Sequence, residues 1–405
     1  MKFIARKIMN DPVYGIINLP DGILFDLISH PYVQRLRRIS QLGLSNYVYP
    51  GANHSRFHHA IGALHLCQET LEVFGRRGLD VSVEEAEGLG IALLCHDLGH
   101  GPFSHVLEHV LTSISHETLT LAIMERLNVE FDGKLDLAIQ IFTGTYKKQY
   151  LHQLVSGQLD LDRMDYLNRD SFFTGVAEGK IGYDRIIKML TIYNDQLAVE
   201  EKGIYSVEKF LMARRLMYWQ VYLHKTVLAT EQMLIAAMKR AKELSGIGIK
   251  YNISPALQFF LDTHHAFEDS SETIIQNFLE LDDYDIWWAL KQFSQSEDTT
   301  LRILASYLLD RKIFKAELSK TPFSTELIAE KISFTAKSLG LNEKEASRLV
   351  ITGYESNEMY YKGNDEIMIL MKTGDLRKFS EISDYPIANV LVKKYFLAFP
   401  KQNIS

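Results

Sequence analysis

Leu94-Cys95-His96-Asp97-Leu98-Gly99-His100-Gly101-Pro102-Phe103-Ser104-His105 decides how this chain is read. An adjacent histidine and aspartate close an apolar run, and a Gly-Pro turn with two more histidines follows. The run begins near Ser82, which has capping-box spacing with Glu85, and continues through Leu89, Ile91, Ala92, Leu93 and Leu94. A helix this apolar is buried and carries His96 and Asp97 into the interior. A buried carboxylate without a partner costs roughly several kcal/mol and persists when a proton, cation or metal neutralises it. His96 and Asp97 therefore read as half of a metal site, the plainer alternative being a hydrogen-bonded core pair.

Composition sets the outer limits. The 405 residues, 46% hydrophobic, suffice for one large core and a second lobe. A formal net charge of -7 argues against a general nucleic-acid coat protein, so any polyanion site has to be local and a nucleic-acid partner is not indicated. Cys67 and Cys95 both fall in apolar helical runs, and residues 1–7, MKFIARK, lack a secretory apolar segment. No stretch reaches about 18 uncharged apolar residues, as an ordinary membrane span would. The expected setting is reducing and cytoplasmic, without a membrane partner.

Outward from the histidine cluster, residues 7–22 predict a small hairpin or irregular element, followed by a helix ending near Ile28 and another opened by Pro31. Arg35, Arg37 and Arg38 read as a solvated face or as an anion contact. A helix is predicted over residues 55–76, sending His59 inward on a stripe with Gly62, Ala63 and Leu66, and leaving His58 with His65, Glu69 and Glu72. Glu108 and His109 continue a helix, and Ser115-His116-Glu117 begin another. Residues 160–170 hold four aspartates and two arginines among Leu161, Met164 and Leu167, more charge than a plain amphipathic helix carries unless it is a surface ladder. Residues 206–244 predict one long helical run with Arg214, Tyr218, Tyr222 and Lys225 on one face, suited to a phosphorylated, ring-bearing ligand or to an ordinary interface. Helical patterns follow around Phe259 and over 274–279, 286–293 and 301–309, with a strand and turn at 366–374 and an apolar element at 390–399. The fold class is all-α with small β elements near both termini: a core over residues 1–240 and a mainly helical lobe with a short β element over 241–405.

His59, His96-Asp97 and Asp162 supply two imidazoles and two carboxylates from separated elements, a mixed set suited to a transition metal. This order resembles the HD-domain metal phosphohydrolases. More specifically, QRLRRISQLG, YPGANHSRFHH, HDLGHGPFSH, His116-Glu117 and LDLDRMDYLNRD resemble successive blocks of the deoxynucleoside triphosphate triphosphohydrolases, the group of the vertebrate sterile-alpha-motif and HD-containing enzyme and its bacterial relatives. The resemblance covers roughly residues 1–240 and is to a form without the sterile-alpha-motif domain.

The resemblance implies cleavage of a dNTP to deoxynucleoside and inorganic triphosphate. It implies metal ligands His59, His96, Asp97 and Asp162 for a divalent transition metal, with Mn, Fe, Ni, Zn and Co not distinguished, and magnesium accompanying the nucleotide. It places His100, His105 and His116 near the scissile phosphate, with Glu108 orienting the last. Phosphate contacts would come from Arg56, Arg163, Tyr166 and Arg214. Gln41 and Asp170 would read the sugar 3'-hydroxyl, with Leu42 and Tyr222 crowding the 2' position, and Tyr218 stands where the vertebrate relative has a substrate-facing histidine. The chemistry suits these residue types, because arginines and a metal offset about four negative charges and histidine titrates near neutrality. The resemblance also implies a homo-oligomer, a tetramer by expectation, with Lys7, Gln34 and Arg37 at a nucleotide activator pocket. Ser29 replaces an aspartate that selects guanine there, so the expected activator is a dNTP rather than strictly GTP. Among competing readings, a cyclic-dinucleotide phosphodiesterase would carry HD-x-G-K, whereas His100 holds the lysine position. A 5'-nucleotidase needs fewer phosphate-binding cations. A catalytically weak nucleotide sensor or nucleic-acid binder would not require the intact set of His100, His105, Glu108 and His116.

Overall fold

The computed structural model describes residues 5–262, 272–357, 366–384 and 392–401. Helices carry the interior. The first of the site helices, α1 (Arg56–Arg76), begins where His58 Nδ1 accepts the Ser55 amide at 3.2 Å, which keeps His58 at the helix start and turns His59 inward. The apolar run before His96 forms α2 (Val83–Cys95) on the expected Ser82–Glu85 capping box. Each residue from Leu89 to Cys95 is buried, between α1 and the Asp136–Phe142 helix. Truncating Leu93 or Leu94 to Ala would cost about 2–5 kcal/mol at such positions. Ser115 caps α3 (His116–Glu130), and Asp160 caps α4 (Leu161–Thr174) by accepting the Arg163 amide at 2.7 Å. Helices α1 and α4 meet at Gly62, where a Cβ would overlap Asp165 and Arg169, so the smallest residue allows the close approach.

The long run expected over 206–244 is broken. It forms α5 (Ile204–Met217), a wide π-helical turn at Tyr218–Tyr222, and α6 (Lys225–Gly246), whose extended N-cap His224 accepts the Thr226 amide at 3.2 Å. Tertiary bonds favour the break: Tyr222 Oη donates to Asp170 at 2.7 Å and Tyr49 Oη to the Gln220 carbonyl at 2.5 Å. Residue 240, the expected lobe boundary, lies inside α6, which packs on the Thr299–Leu309 helix. One hydrophobic cluster extends from Ile17 to Ala398.

The small β elements comprise β1 (Ala5–Asp11), β2 (Gly15–Pro20), β3 (Leu190–Tyr193), β4 (Gln196–Glu200), β5 (Lys315–Ser319), β6 (Ile351–Asn357), β7 (Met368–Leu370), β8 (Leu376–Lys378) and β9 (Val392–Phe399). They pair as a β1-β2 hairpin, a β3-β4-β7-β8 sheet and a β5-β9-β6 sheet. The N-terminal hairpin and the C-terminal strands match expectation. The β3–β4 hairpin in mid-chain does not, although Asn194 and Asp195 at φ 50 and 58 are the residues a two-residue primed turn uses. Arg35 is not on a solvated face: it is 1% exposed, donates to the Leu281 carbonyl at 2.8 Å and covers the Phe278 ring. Arg38 pairs with Asp282.

Candidate active site

Four donor groups converge where α1, α2 and α4 meet. His59 Nε2 lies 3.2 Å from His96 Nε2, 3.0 Å from Asp162 Oδ1 and 3.7 Å from Asp97 Oδ2. His96 Nε2 is 3.4 Å from Asp97 Oδ1 and 3.6 Å from Asp162 Oδ1. Groups bound to one ion at roughly 2.0–2.2 Å are spaced about this far apart. The other ring nitrogens are tied back, His59 Nδ1 to Asp165 Oδ2 at 2.7 Å and His96 Nδ1 to the Leu93 carbonyl at 2.7 Å, so both Nε2 atoms face the common point. Burial opposes a charge on His59, but hydrogen bonds to Asp162 and Asp165 overcome it and raise its pKa to about 10. Burial likewise pushes Asp97 up, while Arg56, His96 and His100 pull it well below the usual carboxylate range. The cluster draws positive charge, as a proton or as a metal, and its residues fit a divalent ion.

Behind it sits a second tier. Asp165, fully buried, accepts from Arg169 Nη2 at 2.9 Å, and Arg169 Nη1 donates to Asp11 at the end of β1 at 2.7 Å. Asp97 also accepts from Arg56 Nη1 at 2.6 Å, and Arg56 Nε donates to Ser104 Oγ at 2.7 Å. Ser104 and Phe103 have φ of 56 and 54, a strained turn that Asp283 pins through the Phe103 amide at 2.7 Å.

Next to the donor cluster, His100, His105 and His116 form a ring-on-ring group, with His100 and His116 centroids 4.2 Å apart. Glu108 bridges two of them, accepting from His116 Nδ1 at 2.7 Å and His105 Nδ1 at 3.0 Å. Burial depresses His116, but Glu108 reverses this and holds its pKa above the ordinary value. His100 is held well below its ordinary value by burial first and by Arg56 next, so it is neutral. A Cβ on Gly99 would overlap the His116 carbonyl, which is how the turn and α3 come this close.

These groups edge a cavity of about 690 Å³. Gln41, Leu42, Arg56, Arg163, Tyr166, Asp170, Arg214, Tyr218 and Tyr222 all line it. Lys225, the first residue of α6, is not among the lining residues. Gln41 Oε1 and Arg214 Nη1 are buried without a hydrogen-bond partner among the described residues, and His100 Nε2 is too. Arg163 is bonded to Asp160 and the Gly157 carbonyl. Asp170 accepts from Tyr222 Oη and lies 2.7 Å from His54 Nε2. The N-terminal trio stands elsewhere: Arg37 Nε donates to Gln34 Oε1 at 2.8 Å over the Phe57 ring, and Lys7 covers Phe25.

Sequence reasoning passed over His54, Asp165, Arg169 and Asp11, although two of them stand inside the charged block at 160–170. The density of charge there was the signal; which charges pair across the fold was not visible. Glu231, Gln232 and Glu355 also line the cavity and were not singled out.

A family model described as an HD associated region matches residues 181–251. The uncharacterised protein YwfO of Bacillus subtilis is 34% identical over 323 residues, covering 78% of this chain and 72% of its own length. A crystal structure of a phosphohydrolase from Bacteroides thetaiotaomicron superposes with a TM-score of 0.94 at 49% identity, covering 98% of this chain and 100% of that one. The human deoxynucleoside triphosphate triphosphohydrolase SAMHD1 is 28% identical over 302 residues, covering 62% of this chain and 48% of its own. The chain thus spans about half the length of that curated relative. No helix among the described residues is long and apolar enough to cross a membrane.

Proposed function

The chain belongs to the HD-domain dNTPase-like phosphohydrolase family, and on that premise we propose that it hydrolyses dNTPs to deoxynucleoside and intact triphosphate. One observation carries the reading: His96, Asp97 and Asp162 of the donor cluster and the histidines His100, His105 and His116 line the same cavity, which also holds three arginines. The metal ligands are His59, His96, Asp97 and Asp162. A divalent metal held there supplies a Lewis acid for a phosphoryl oxygen and lowers the pKa of a bound water.

The remaining work falls to side chains. Arg163 and Arg214 meet the outer phosphates, and Arg56 serves the α-phosphate while holding Asp97. Water adds its oxygen to the α-phosphorus, the bond from that phosphorus to the sugar 5'-oxygen breaks, and a histidine delivers the proton that the oxygen takes up. His116, whose pKa Glu108 holds above the ordinary value against the effect of burial, and the more exposed His105 are suited to that delivery. Asp170 and Gln41 hold the 3'-hydroxyl, and Leu42 and Tyr222 leave no space at the 2' position. Lys7, Gln34 and Arg37 form an activator pocket in a homotetramer, and a second dNTP binds there.

The test is incubation of the metal-loaded protein with each dNTP and rNTP, alone and in mixtures, with product identification. Triphosphate as first product, dNTPs far ahead of rNTPs, and acceleration in mixtures are expected. Orthophosphate as first product, or equal specificity constants for ATP and dATP, would overturn the reading.

A further inference from the structure

The N-terminal hairpin reaches the metal cluster without lying in it. β1 and β2 form a sheet of their own, and a lone two-stranded hairpin is marginal in water, so its seating depends on what it docks against. Its outer face is open, with Ile8 and Ile16 exposed, whereas its inner face buries Ile17, Leu19 and one charge, Asp11.

Asp11 holds both the hairpin and its neighbour. Oδ1 accepts the amides of Val13 at 2.9 Å and Tyr14 at 3.0 Å and so builds the turn, while Oδ2 accepts from Arg169 Nη1 at 2.7 Å. Arg169 turns its other edge to Asp165, with Nε 3.0 Å from Oδ2 and Nη2 2.9 Å from Oδ1. Asp165 Oδ2 in turn meets His59 Nδ1 at 2.7 Å. Each of these four side chains is 4% exposed or less, so solvent ions screen the connection little. The guanidinium charge is thereby divided between two carboxylates. With Asp11 neutral it would fall on Asp165 alone, leave the Nη1 donor without an anion in a dry interior, and weaken the carboxylate that orients His59 and strengthens it as a ligand.

We propose that Asp11 is a positioning residue of the metal centre, and that ion binding at the cluster and docking of the N-terminal hairpin are coupled through Arg169 and Asp165. The inference rests on the metal reading of the cluster and is independent of the substrate. Such a coupling is reciprocal: whatever factor the docked hairpin adds to ion affinity, the bound ion returns to hairpin docking.

The experiment uses the full chain stripped of metal. Calorimetric affinities for Mn(II) and Zn(II) are compared in wild type, D11N, D165N and D11N/D165N, with circular dichroism recorded for each, and hydrogen exchange of the β1 and β2 amides is followed with and without the ion. Asn keeps the turn, because its side-chain oxygen accepts the same two amides, so D11N removes the charge and leaves the hairpin. D11N should lower ion affinity by about 10-fold or more. On top of D165N it should have little further effect, since the route through Asp165 is already cut, whereas a direct through-space effect of the charge would persist. In the wild type the ion should slow exchange of the hairpin amides by a comparable factor, and D11N should lose that protection; the wild-type exchange tests the coupling whatever the stability of the variants. Wild-type affinity in a folded D11N, an undiminished D11N effect in the D165N background, or hairpin exchange indifferent to the ion overturns this inference alone. A wild type that binds neither ion overturns the metal reading, and this inference with it.

Discussion

Asp165→Asn isolates the tier behind the metal cluster, because it keeps the side-chain shape and removes one charge. In the wild type, burial raises the Asp165 carboxyl, but the Arg169 charge and the His59 hydrogen bond outweigh this and bring it down to about 2. Relative to an ordinary aspartate near 3.9, that displacement corresponds to about 2–3 kcal/mol of stability, most of which the variant should lose. The sign follows from a folded-state pKa below the unfolded one. The contribution is fully present above about pH 4 and fades as pH falls towards 2, so the stability gap between wild type and variant should narrow over that window. Metal binding should fall as well, since His59 Nδ1 loses the carboxylate that fixes its tautomer, and such losses are about 10- to 100-fold in affinity. Urea unfolding of metal-free protein across pH 3–7, with metal titration at neutral pH, measures both. A variant matching wild type in stability at pH 6 and in metal affinity would refute the reasoning.

Three further outcomes are expected. Glu108→Gln should lower kcat/KM by about 100-fold and move the basic limb of the pH–rate profile to lower pH, because His116 loses the carboxylate that raises it; an unshifted limb would count against His116 as proton donor. Gly62→Ala should destabilise the fold by about 1–3 kcal/mol or more in thermal melts, with metal affinity falling in step, since the added Cβ overlaps Asp165 and Arg169; a neutral substitution would mean that α1 and α4 can separate freely. Titrating metal into weakly buffered, metal-free protein at pH 7 should release protons, because the carboxylates keep His59 charged up to about pH 10 and a ligand imidazole must be neutral; apparent affinity should accordingly rise with pH, and a titration without acidification would contradict this.

Local rules made the helix starts readable. The Ser82–Glu85 box, the Ser115 cap and the inward stripe of His59 each depend on residues a few positions apart, and the structure has them where spacing put them. The bonds that aim those side chains join residues far apart in the chain. Asp165 meets His59 across 106 positions, Asp170 lies against His54 across 116, and Arg35 reaches Leu281 across 246. Periodicity carries no information at such separations, so Arg35 read as solvated and His54 went unnoticed. The break before α6 was hidden for the same reason: residues 218–224 have good helical periodicity, and tertiary bonds from Tyr222 and Tyr49 override it.

The buried charges then constrain what the cluster can hold. Asp97, Asp162, Asp165 and Asp11 contribute four negative charges in one connected set, and Arg56 and Arg169 contribute two positive ones. Asp160 and Arg163 balance each other alongside. With neutral imidazoles, the set is two positive charges short, and in a buried region such a deficit is not left to solvent. Protons can fill it, which is why His59 and His96 are both raised without a metal. A single divalent ion fills it completely at the point where both Nε2 atoms aim. A monovalent ion would leave one proton behind on a nitrogen that has to coordinate, so charge balance and geometry select the same occupant.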